Sequence, residues 1–140
     1  VIVGFPGETD ELFMETYRFI QSLDVSYLHV FSYSERDKTV AIKLPDVVSK
    51  QVRSKRSKLL RSLSVKMRRN FYSKQLGTNK NILFESENKK GFIYGFSDNY
   101  VRVKTPWRKD LVDSIVKYNL KEISKDGYVL AENSNKLVTI

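Results

Sequence analysis

Between Val48 and Lys74 the chain carries ten basic residues and no acidic one, and no other stretch restricts the possible folds as strongly. Within it Val52, Leu59, Leu60, Leu63, Met67 and Phe71 recur at spacings of three, four and seven, the pattern of one apolar helix face. The run reads as a long amphipathic helix with Asp46 or Ser49 as its cap. Its cations, Lys50, Arg53, Lys55, Arg56, Lys58, Arg61, Lys66, Arg68, Arg69 and Lys74, repel one another, and an anionic partner spread along the helix relieves that repulsion. Nucleic acid is the natural partner. On charge alone a solvated surface helix is an equal alternative. A membrane-surface helix would place Trp, Phe and Leu in bulk on its apolar face, and this face is modest.

The rest of the 140 residues dilutes this charge: residues 1–47 hold 4 basic and 8 acidic residues, and residues 75–140 hold 11 and 8. With no cysteine and one histidine, the chain cannot itself supply a disulfide, a thiolate nucleophile, a Cys-ligated zinc or iron–sulfur centre, or a His-rich metal site. No apolar run approaches the roughly 18 residues that span a bilayer. No basic segment followed by a long apolar stretch marks export. A cytoplasmic protein with no membrane partner is expected.

Val1–Val3 reads as a strand already under way, so a fragment of a longer protein is expected. After GFPGETD, a helix with Thr9 or Asp10 as N-cap places Leu12, Phe13, Thr16, Phe19, Ile20 and Leu23 on one side. Tyr27–Tyr33 (YLHVFSY) reads as a buried strand, completing a βαβ unit with a parallel sheet whose two faces need cover. Beyond Leu76 the pattern changes to short runs at 82–84, 92–96, 100–104, 114–123, 128–131 and 137–140, separated by turn-rich stretches. Asp126 and Gly127 form a hairpin pair. The expected fold is α+β, with residues 1–75 as one domain including the basic helix, and 76–140 as a small antiparallel β-barrel.

In YVRVK, alternation sets Tyr100, Arg102 and Lys104 on one strand face and Val101 and Val103 on the other. Phe92, Tyr94 and Phe96 alternate alike on a neighbouring strand, placing rings for base stacking beside cations for phosphate. The interior-filling role is favoured for Phe92 and Phe96, leaving Tyr94 and Tyr100 as the RNA candidates. Trp107 with Arg108 and Lys109 offers either a nucleotide grip or a packing plug. Gly4, Pro6, Gly7 and Glu8 lie at a strand-to-helix turn, where backbone N–H groups can face a ligand. His29 is expected to be a hydrogen-bonded core residue. Glu8, Asp10, Glu11 and Glu15 fit the field at a helix N-terminus.

VIVGFPGETDELF followed by YLHVFSYSERDKT resembles the last part of the radical S-adenosylmethionine barrel of the MiaB/MtaB-type methylthiotransferases, which modify tRNA next to the anticodon. KKGFIYGFSDNYVRVKTP is similar to the TRAM domain of that family, a small RNA-binding β-barrel of OB-like type. The GFSDNYVRV segment leans toward the subgroup acting on threonylcarbamoyladenosine rather than isopentenyladenosine. The resemblance implies a truncated TIM-like barrel end, with Gly4, Pro6, Gly7 and Glu8 bordering S-adenosylmethionine. It implies tRNA, through its anticodon stem-loop, as the partner of Arg61, Lys66, Arg68, Arg69, Tyr94, Tyr100, Arg102, Lys104, Arg108 and Lys109. The parent enzyme is then expected to use two 4Fe-4S clusters and S-adenosylmethionine, held on cysteines that this chain lacks, so that the fragment alone binds no cofactor and is inactive. Asp37 and Lys38 stand before Thr39 where the family has Pro-Gly, so that loop differs. The alternatives are a non-enzymatic RNA-binding module with an OB-like barrel and an adaptor that docks an acidic protein. Exposed parallel-sheet edges also point to self-association.

Overall fold

The computed structural model describes residues 1–134, and the chain divides into two compact units, Val1–Arg68 and Arg69–Ile140. In the first, β1 (Ile2–Val3) and β2 (Phe31–Ser32) pair in parallel, Ile2 opposite Phe31. Between them runs α1 (Asp10–Ser22). Thr9 is its N-cap, accepting the Leu12 N–H at 3.2 Å, with Asp10 and Glu11 in the first turn. α1 buries Phe13 and Ile20, with Met14 and Tyr17 partly packed. Leu12 and Phe19 are exposed, so the buried stripe lies to one side of the expected one.

α2 (Lys50–Gln75) is the long basic helix, and Ser49 Oγ accepts the Val52 N–H at its start. Leu60 and Leu63 join Val3, Phe13, Ile20 and Val30 in the core of the first unit, with Met67 against them. Leu59 is exposed, a correction to the expected apolar face. The expected buried strand over Tyr27–Tyr33 is also corrected: only Phe31–Ser32 is strand and both residues are exposed, while Val30 is buried, Leu28 half-buried, and Tyr27 and His29 exposed. His29 is therefore not a core residue. Its carbonyl accepts the Val1 ammonium, and its ring meets Tyr27 edge-on.

The second unit is a closed barrel of β3 (Asn79–Phe84), β4 (Phe92–Ser97), β5 (Arg102–Pro106), β6 (Ile115–Ile123) and β7 (Val129–Asn133). Its order is β3-β4-β5-β7-β6, with β6 pairing back to β3. Four ladders are antiparallel, as expected; β5 and β7 run parallel, because the β6–β7 hairpin brings the last strand beside β5. Gly127, at φ 85°, turns that hairpin. Its N–H donates to the Ser124 carbonyl, and the Ser124 N–H donates to that of Tyr128. Inside lie Ile82, Phe84, Ile93, Val101, Val103, Tyr118, Leu120, Val129 and Ala131, joined by Tyr72 from the end of α2. The expected run 137–140 lies outside the described residues. Among those described, no helix is long and apolar enough to cross a membrane.

Candidate nucleic-acid interface

The β4–β5 ladder sets Tyr94 opposite Lys104 and Phe96 opposite Arg102. Ile93, Gly95 and Ser97 point inward with Val103 and Thr105, all buried. By alternation Phe92, Tyr94, Phe96, Arg102 and Lys104 share the outer face, where Lys104 is itself covered, 9% exposed. This corrects the interior assignment of Phe92 and Phe96. Gly95 pairs with Phe84, whose ring is buried in the interior, and a Cβ on Gly95 would already come within 2.6 Å of the Leu83 carbonyl oxygen, so the inner side of β4 is filled there. Tyr100 is corrected too: β5 begins at Arg102, and Tyr100 sits in the preceding turn at φ 62°, its ring 6.3 Å from that of Phe96.

The face is an aromatic cluster with embedded cations. The Tyr94 and Tyr128 rings meet edge to face at 4.8 Å. The Arg102 guanidinium carbon lies 4.2 Å from the Phe96 centroid, 5.7 Å from that of Tyr94 and 5.9 Å from that of Tyr128. Lys104 Nζ is 5.1 Å from the Phe92 centroid. Each cation also holds a carboxylate. Arg102 donates to both oxygens of Glu85, at 2.5 and 2.8 Å, and Lys104 donates to Asp126 at 2.5 Å. The Arg102 hydrogen bonds keep the Glu85 carboxyl below the usual range.

The Lys104 and Ser124 hydrogen bonds lower Asp126 from 3.8 to about 2. A depressed carboxylate pKa adds stability that is complete above the unfolded value and is lost as pH falls through the folded one. Carboxyl carbon shifts of Asp126 followed by NMR should therefore titrate with a midpoint near 2, the β6–β7 hairpin loosening between about pH 4 and pH 2. Lys104→Met should raise the midpoint toward the ordinary aspartate range, with the Ser124 bond still holding it below; an unmoved midpoint would remove the ion pair as a cause.

Glu85, Asp126 and Tyr128 were not singled out as site residues by the sequence. Asp126 signalled only a turn, and Tyr128 gains its place through the hairpin that this turn makes. Trp107 packs half-buried against the barrel core. Arg108 is held by Asp110 at 2.5 and 3.0 Å, and Lys109 beside it is exposed.

Along α2, Arg61, Lys66, Arg68 and Arg69 are exposed. Arg61 donates to Ser57 Oγ and the Val30 carbonyl, while Lys66, Arg68 and Arg69 form no ion pair among the described residues. Arg53 and Arg56, each 4% exposed, are no part of a solvent-facing basic surface. Arg56 donates to the Glu8 carbonyl, Glu8 Oε1 and Asp10 Oδ1 at 2.9, 2.6 and 2.8 Å. Arg53 donates to the Val48 and Tyr33 carbonyls and to Glu35 at 2.8, 3.0 and 2.5 Å. Its bond to Glu35, with that residue's own backbone N–H, lowers the Glu35 carboxyl from 4.5 to about 2.

The strand-to-helix turn is wired inward. The Gly4 N–H donates to Glu8 Oε1, that of Gly7 to the Asp46 carbonyl, and that of Glu8 to the Phe5 carbonyl, while Pro6 has none. Gly4 sits at φ 79° with the Arg53 side chain against it. Glu8 and Asp10 thus do more than complement the helix N-terminus: they anchor Arg56. Among the described residues no group of three His, Cys, Asp or Glu side chains is placed to hold a metal ion.

No known protein-family model matches the chain. Its homologues among curated proteins are methylthiotransferases. The threonylcarbamoyladenosine tRNA methylthiotransferase MtaB of Bacillus subtilis is 38% identical over 91% of this chain and 29% of its own length. The tRNA-2-methylthio-N(6)-dimethylallyladenosine synthase of Endomicrobium trichonymphae is 34% identical over 87% of the chain and 29% of its own length. The ribosomal protein uS12 methylthiotransferase RimO of Alkaliphilus oremlandii is 36% identical over 67% of the chain and 22% of its own length. The chain is homologous to MtaB- and MiaB-type tRNA methylthiotransferases over most of its length, and it spans less than a third of those relatives.

Proposed function

We propose that this chain is the RNA-positioning portion of a cytoplasmic radical S-adenosylmethionine tRNA methylthiotransferase, with the end of the radical-enzyme domain in residues 1–75 and a TRAM domain in 76–140. The observation that carries the reading is its 38% identity to a tRNA methylthiotransferase over 91% of its length. The barrel supports it. Numbered within the barrel, the strands run 1-2-3-5-4 and close on 1, and the aromatic and basic face lies on strands 2 and 3, the face with which OB-type barrels hold oligonucleotides. The first unit, a parallel strand pair linked by a helix, is consistent with the end of a TIM-like barrel.

The residues present do not fit an iron–sulfur cluster: there is no cysteine, and the single histidine is exposed. The turn at Gly4, Pro6, Gly7 and Glu8 offers S-adenosylmethionine no free backbone donor, since the Gly4, Gly7 and Glu8 N–H groups are spent within the turn and on Asp46, so its part is limited to shaping a border of the site. The clusters and S-adenosylmethionine, bound to the whole enzyme, supply the chemistry that adds sulfur and a methyl group to adenosine. This chain's residues orient the RNA. Arg61, Lys66, Arg68, Arg69 and Lys109 contact phosphate of the anticodon stem-loop. The outer barrel face meets its bases.

Because one relative is a ribosomal protein methylthiotransferase, the test compares two substrates. The intact protein should bind tRNA at low salt, with log affinity falling linearly against log salt, and should not bind ribosomal protein uS12. Reversing Arg68 and Arg69 to Glu should weaken tRNA binding about tenfold or more and flatten the slope by roughly two units. Binding of uS12 with indifference to tRNA would overturn the proposal. The nucleoside is assigned to the threonylcarbamoyl type, which tRNA from cells lacking that modification would test.

A further inference from the structure

Charge complementarity within the barrel narrows what its outer face can take. Arg102 and Lys104 would ordinarily be assigned to phosphate, yet Glu85 and Asp126 neutralise both at 2.5 Å. A phosphate arriving there would have to displace a carboxylate already in the best geometry for the guanidinium fork. Beside these two partly exposed carboxylates the exposed material is aromatic: Phe96 is 38% exposed and Tyr100 70%.

Tyr100 adds an independent observation. A bulky non-glycine residue at φ 62° occupies a region that L side chains avoid, and such strain persists where surrounding structure enforces it. The enforcement is visible. Ser97 Oγ donates to Asn99 Oδ1 and accepts the Val101 N–H, Asn99 Nδ2 donates to Gln75 Oε1, and the Tyr100 N–H donates to the Ser97 carbonyl. Tyr100 nonetheless keeps 70% of its surface exposed, so interior packing does not account for a bulky side chain at this backbone position. It is held beside Phe96, over which the Arg102 guanidinium lies fixed by Glu85.

We infer that the outer face of β4 and β5 takes an unpaired nucleobase, stacked against Tyr100 and the Arg102–Phe96 pair, while phosphate is held elsewhere. Rings and guanidinium planes are the surfaces on which splayed bases stack. The inference rests on the reading of the protein as RNA-binding and assigns this face its ligand class. It predicts a division between a face insensitive to salt and the salt-sensitive cations of α2.

Tyr100→Gly tests it without confusing binding with folding, because glycine adopts φ 62° freely. Thermal stability should be unchanged or raised, while affinity of the intact protein for tRNA and for a short unpaired oligoadenylate falls about tenfold, in line with the loss of one base stack. The slope of log affinity against log salt should stay that of the wild type, in contrast to the Arg68 and Arg69 variant. Unchanged oligoadenylate affinity in Tyr100→Gly overturns the inference even if tRNA binds. A slope flattened by about one unit in Lys104→Met, which removes a cation of this face, overturns it in favour of phosphate contact. A Tyr100-dependent grip on oligoadenylate alongside indifference to tRNA would uphold the stacking site and reject the tRNA reading.

Discussion

Arg56→Ala should destabilise the first unit by about 3 kcal/mol, the cost of removing one partner from a buried ion pair. The guanidinium, 4% exposed, is shared among three acceptors on the turn before α1. Of these, the Glu8 carboxylate counts most, because it is itself largely buried and also accepts the Gly4 N–H at 2.9 Å. Without Arg56 it keeps one neutral donor and no opposing charge. Asp10 contributes little, since its side chain is open to water. The Phe13 ring, 5.4 Å from the guanidinium carbon, loses its cation and gains a cavity beside it. Arg56→Lys should recover only part of the loss, as a single ammonium cannot reproduce a planar fork over three acceptors. Urea unfolding measures the effect, and Glu8→Gln in the Arg56→Ala background should restore part of the stability by removing the stranded charge. A loss below about 1 kcal/mol, the scale of an exposed pair, would mean that the turn does not depend on this clamp.

The clamp also shows where sequence patterns stop being informative. The amphipathic spacing of α2 is local, and so Leu60, Leu63 and Met67 were legible. Thr9 and the Asp126–Gly127 turn were legible too, because a cap and a tight turn each depend on a few consecutive residues. Arg53 and Arg56 look like any other cation of the run. Their burial follows from carboxylates that fold back from 46 to 48 residues away for Arg56, and from 18 away for Arg53. The barrel face follows the same rule. Alternation correctly groups Arg102 with Lys104, and Phe92 with Tyr94 and Phe96, but periodicity does not say which group faces the interior. That choice is made by the width of the closed barrel and by the approach of β3 to Gly95. The parallel β5–β7 ladder is invisible for a related reason, since strand order is a property of the whole sheet. Glu85 and Asp126 were therefore missed as the groups that neutralise the face.

Gly95→Ala should cost the barrel about 3 kcal/mol, at the upper end for added volume in a packed interior. Glycine within a strand marks a place where another backbone approaches closely, and here that backbone is β3. A Cβ would stand 2.6 Å from the Leu83 carbonyl oxygen and 2.7 Å from Ile82 Cγ2. The Ile82 methyl could rotate away. The carbonyl cannot, because Leu83 pairs with Phe96 on one side and with Ile115 on the other, so moving it opens the ladders that close the barrel. The same displacement carries Glu85, which follows β3 directly, away from Arg102, and the guanidinium loses its bidentate partner above Phe96. Two effects should therefore appear together: a lower midpoint of barrel unfolding, and an Arg102 made available to phosphate, so that residual RNA binding becomes more dependent on salt than in the wild type. Lower stability with an unaltered salt dependence would show that the Arg102–Glu85 pair survives a shift of β3, and would separate the integrity of the barrel from the neutrality of its outer face.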